Sequence, residues 1–149
     1  MKQFWFAGAL ALLACVSSGR CEDDKKPKGD AKAFEGTWLA ESAVMGGNAF
    51  PEALRKSIRL EIKDGKYTVT VGAAVDKGSC KFDESKKIKT MDVTGEEGPN
   101  KGKTFPAIYE LKGDMLKVCY DLSGTKRPEE FVSKPGTMLF LATYKKQKP

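Results

Sequence analysis

The chain contains no histidine. Neither a Ser-His-Asp nor a Cys-His nucleophile can be built from it, and the commonest zinc ligand is missing. Carboxylates, Lys, Tyr and four cysteines remain for chemistry. Glu129 and Glu130 are neighbours in sequence, so a strand would send them to opposite faces and they could not act as a hydrolytic pair. Asp83, Asp92, Asp114 and Asp121 stand at expected strand ends or turns, where an Asp side chain accepts from nearby backbone N–H groups. No Asp-x-Asp-x-Asp-Gly run converges oxygens on a calcium ion. These residues predict a protein that is not an enzyme and has neither cofactor nor metal.

The cysteines speak first about location. Residues 1–14 carry one early Lys and then an apolar run too short to span a bilayer, which fits the core of a secretory signal. The run ends Leu12-Leu13-Ala14-Cys15, which resembles a bacterial lipobox. Cleavage before Cys15 would leave that thiol as a lipid anchor in the membrane, facing the periplasm. The other reading is ordinary cleavage after Ser17 or Gly19 and release as a secreted or periplasmic protein. Either way Cys21, Cys80 and Cys119 remain. A Cys80–Cys119 disulfide is one state open to an exported protein. Free or structural thiols are the other, because Cys80 shares a strand face with Phe82 while Cys119 shares one with Lys117 and Asp121.

The net charge of +6 comes from 22 Lys against only four Arg. The lysines are scattered rather than gathered on an aromatic-laced face, so the pattern describes a solvated surface, or else a basic patch for anionic surfaces, and not a nucleic-acid reader. Residues 15–33 are expected to be a flexible charged tether, since residues 22–33 contain no large apolar side chain to offset the entropy of ordering. The folded unit is placed at residues 34–147.

Positioning falls to short strands. Ile58, Leu60 and Ile62 alternate with charged residues, Asp64-Gly65 supplies a tight turn, and Tyr67, Val69 and Val71 continue the period of two. Residues 105–111 and 116–122 repeat the pattern around Lys112-Gly113-Asp114. Weaker strands are predicted at 38–44, 80–82, 88–93 and 138–144, a short helix at 51–56, and a Gly-rich loop at 95–103. About eight antiparallel strands in one domain predict an all-β, up-and-down barrel, because apolar first and last strands left as free edges would aggregate.

From Phe34 onward the sequence resembles a lipocalin-like domain found in exported planctomycete proteins, of unassigned function. The likeness is carried by Gly36-Thr37-Trp38, by Asp83 with Lys86-Lys87 and Met91-Asp92, by Gly102, by residues 107–120, and by Arg127-Pro128-Glu129-Glu130-Phe131. It implies a calycin-type barrel whose floor is the Trp38 ring. In lipocalins an Arg near the last strand typically covers that ring; here the strand ends Tyr144-Lys145-Lys146, so a Lys must serve, or Arg127 covers it from another segment. The Arg127–Phe131 motif reads either as a turn with an ion pair or as a binding loop at the barrel mouth.

An eight-stranded barrel is just wide enough to be filled by side chains or to hold one small ligand. Trp38, Tyr67, Tyr109, Tyr120 and Arg127 are the candidate pocket or floor residues. The many bulky inward groups argue against a large lipid and leave room for a small apolar pocket beneath the helix. Two functions follow: a cell-envelope binding module for a small apolar ligand or an envelope protein, or a structural or protein-interaction domain with a filled barrel.

Overall fold

The computed structural model describes residues 29–149. A one-turn helix, α1 (Asp30–Phe34), leads into β1 (Gly36–Met45) and the two-residue β2 (Asn48–Ala49). A second short helix, α2 (Glu52–Lys56), precedes β3 (Ile58–Lys63), β4 (Lys66–Val71), β5 (Ala74–Asp83) and β6 (Lys89–Glu97). The chain ends with β7 (Thr104–Lys112), β8 (Met115–Asp121) and β9 (Leu139–Lys146). The strands pair antiparallel in the order β2-β1-β3-β4-β5-β6-β7-β8-β9, and β9 returns to pair with β1. The result is an eight-stranded closed antiparallel barrel with β2 as an added strand. Closure pairs the first long strand with the last, so neither is left as an outer edge of an open sheet.

The Asp64-Gly65 turn forms with positive φ at both residues, 52° and 74°, which matches the twist of the flanking strands. Ile58, Leu60 and Ile62 point inward and are buried, while Arg59 and Glu61 pair on the outside. β5 is much longer than the predicted 80–82. Its inward positions Asp76, Gly78 and Cys80 are polar or small, so the strand lacks the apolar alternation that marks its neighbours. β6 likewise runs to Glu97, into the expected loop, because its pairing with β5 continues through Gly78–Gly95 to Lys77–Glu97.

β1 pairs with β3 only through Leu39, while its pairing with β9 continues to Met45 across a bulge between Ala40 and Ser42. Where β1 and β3 part, α2 lies against both strands, and Arg55 Nη1 donates to the freed Ala40 carbonyl at 2.9 Å. Pro51 caps α2, which occupies the predicted helix. α1 was not expected. Asp30–Ala33 belong to the predicted tether, and they are helical because Phe34 behind them is fully buried and Asp30 finds partners on the barrel. Residues 1–28, including the expected signal, the Cys15 anchor site and Cys21, lie outside the described residues.

Candidate functional site

The barrel has a closed end and a mouth. At the closed end, α1 inserts Phe34 between Phe82, at 4.5 Å between ring centroids, and Tyr109, which meets it edge-on at 4.9 Å. Trp38 sits behind Phe34, its indole N–H donating to the Phe34 carbonyl at 2.8 Å. Lys146 covers the indole face, with Nζ 5.4 Å from the ring centroid and 3.1 Å from the Ala33 carbonyl. Asp30 fastens the helix by accepting from Lys89 Nζ at 2.6 Å and Tyr109 Oη at 3.0 Å. Burial and that bond push the Tyr109 hydroxyl above its ordinary range, so it stays protonated and donating.

Above Phe34 the interior is not filled. A cavity of about 290 Å³ runs from Phe34 past Ile58, Leu60 and Leu116 to Phe50, Leu122 and Phe140 near the mouth. That volume is at the small end of ligand pockets. Tyr120 and Phe140 stack at 5.9 Å with an interplanar angle of 22°, and Phe50 packs on Phe140 at 5.5 Å, giving the mouth an aromatic wall.

One polar cluster enters this apolar surface. Tyr67 Oη donates to Asp76 Oδ2 at 2.9 Å, Asn100 Nδ2 donates to the same oxygen at 3.0 Å, and the Asn100 backbone N–H reaches Oδ1 at 3.2 Å. Asp76 is 7% exposed. Gly78 makes the arrangement possible. A Cβ there would fall 1.9 Å from the Thr94 carbonyl oxygen and 2.7 Å from the Tyr67 ring, so only Gly lets that ring lie across β5 toward Asp76. Burial, followed by the bond to Asp76, raises the Tyr67 hydroxyl and keeps it a donor.

Of the sequence-predicted residues, Tyr67 and Tyr120 line the cavity. Trp38 does not: Phe34 is the floor and Trp38 its backing, because the unexpected helix brings a second aromatic in from below. Tyr109 serves the same closed end. Arg127 is on the outer wall, since it pairs with Asp92, whose neighbours Met91 and Val93 take the inward positions. Its guanidinium also donates to the Ala107 and Met91 carbonyls at 2.9 and 3.2 Å, clipping the segment after β8 across β6 and β7. The ring is therefore covered by Lys146 and not by Arg127.

Cys80 and Cys119 are free thiols and do not pair. β5 and β8 are not neighbours; Cys80 faces the cavity, while Cys119 points outward and donates to the Val132 carbonyl at 3.4 Å. Burial pushes Cys80 up to about 12 and raises Cys119 as well. The outer segment also bounds a polar groove of about 540 Å³. Its start is held by Asp121, which accepts from Ser123, Thr125 and Lys126. Burial acts to raise that carboxyl, and these bonds outweigh it, leaving it below its usual range.

Sequence reasoning missed Phe34, Phe50, Asp76 and Asn100 as parts of the site. Asp76 had a signal: it keeps the phase of Cys80 and Phe82 when their period of two is carried back along the chain. Asn100 had none, because only the fold of the 98–103 loop brings it to Asp76.

No protein-family model matches the chain, and no curated protein matches it. Among solved structures, a DUF4847 family protein from Bacteroides vulgatus is similar, with 12% sequence identity and a TM-score of 0.46, over 80% of this chain and 100% of that one.

Proposed function

We propose that this protein is a non-enzymatic binding module of the cell envelope, exported and anchored through lipid on Cys15, that takes a small apolar ligand into the barrel. It is read as a member of the exported lipocalin-like domains its sequence resembles. The observation that carries the binding role is the cavity above Phe34, about 290 Å³ with walls that are almost wholly apolar. An apolar occupant would take such a wall out of contact with water and add packing contacts along it.

The test is a thermal-shift and calorimetric screen of the purified protein against small apolar compounds. A true ligand at a hundredfold excess over its Kd stabilises the folded state by about 2.7 kcal/mol. Val69→Phe, which fills the cavity from β4, should abolish the shift while the protein stays folded. A flat response across the panel would overturn the binding role and favour the filled-barrel interaction domain. Export and anchoring are checked by mass spectrometry of the mature N-terminus, expected to be an acylated Cys15. An unacylated start downstream of it would overturn the anchor.

A further inference from the structure

Among the described residues lining the cavity, Asp76 is the only acidic or basic one. Its three donors, from Tyr67 and Asn100, are all neutral, and none of the ion pairs among the described residues includes it. A carboxylate offers about four acceptor positions. Oδ2 uses two and Oδ1 one, so Oδ1 keeps an acceptor position free. Buried carboxylates are ordinarily matched by a cation, and a charge in low-dielectric surroundings attracts one far more strongly than it would in water. Among the described residues, hydrogen bonds hold the group in place and none supplies the counter-charge.

Position adds to the argument. Asp76 is the third residue of β5, at the mouth, whereas Phe34 closes the opposite end. A ligand with one polar end would set that end against Asp76, near water, and run its hydrocarbon toward Phe34. We infer that the cavity selects small free aliphatic or alicyclic amines, the ammonium group pairing with Asp76 and the apolar body filling the space above Phe34. This inference rests on the binding role proposed above and names the chemical class of its ligand. The cavity volume suits a single short chain and not a two-chain aminolipid.

The net charge of +6 helps to isolate the effect, because the field of the whole molecule favours anions over cations. A preference for amines must therefore arise locally. The experiment compares octylamine, octanol and octanoate at pH 7 by isothermal calorimetry on the unsubstituted protein and on Asp76→Asn. Octylamine should bind about tenfold or more tighter than octanol, and octanoate weaker than both. Asp76→Asn should bring octylamine to the level of octanol while octanol binding persists.

Equal binding of octylamine and octanol, or an amine preference that survives Asp76→Asn, would overturn the inference and leave the binding role standing. No binding of any of the three would overturn both. If Asp76→Asn fails to fold, the ligand series on the unsubstituted protein decides alone.

Discussion

Lys146 takes the place over Trp38 that the resemblance assigns to an Arg. It does so with a stem long enough to reach both the ring and the Ala33 carbonyl, although an ammonium lacks the flat face that would stack on the indole. The Gly-x-Trp motif thus marked the right end of the barrel and the wrong occupant of its floor, since the ring that meets the cavity is that of Phe34. At the cysteines, the alternation of strand residues already separated Cys80 from Cys119 by face. The structure adds that burial raises both thiols, Cys80 to about 12. Few of these groups are thiolate near neutrality, so both should resist iodoacetamide at pH 8 in the native protein and react in denaturant, with and without prior reductant. Peptide mapping reads this directly. Native-state alkylation of Cys80, or a reductant requirement in denaturant, would contradict the geometry.

At the scale of elements, α1 changes the reading most. Five residues at the end of an otherwise charged lead-in form a plug, and only Phe34 among them is strongly apolar, so local composition could not distinguish plug from tether. The plug is held partly by charge. The hydrogen bond from Lys89 to Asp30 raises the Lys89 ammonium above its ordinary 10.5. A cation whose folded value is raised contributes stability that is complete below its unfolded value and is lost as pH rises through the folded one. The stability difference between the unsubstituted protein and Lys89→Met, measured by urea melts, should therefore be constant from neutral pH to about pH 10 and shrink above it. A difference that grows with alkalinity would refute the role of the pair.

The molecule as a whole is organised by closure. β9 pairs along most of its length with β1 on one side and β8 on the other, and its Lys146 also covers Trp38. Removing residues 139–149 should leave β1 and β8 as open edges and yield an aggregated or unfolded product by size exclusion and circular dichroism. A soluble, β-rich monomer from that truncation would show that closure is dispensable. Period-two alternation and turn residues were enough to indicate strands and their antiparallel hairpins, because those features are set by neighbours a few residues apart. Closure into a barrel followed only from the cost of leaving apolar first and last strands as free edges, and it is made by the distant β1–β9 pairing. Whether the barrel interior would be full could not be read in the same way. That volume is what remains after side chains from eight strands, the α1 plug and the loop bearing Asn100 have met across the axis. One of its smaller contributors, Cys80, lies on the strand with the weakest alternation. Only the tertiary structure could decide that space remains above Phe34 and that the Asp76 carboxylate faces it, because both depend on distances between segments far apart in the chain.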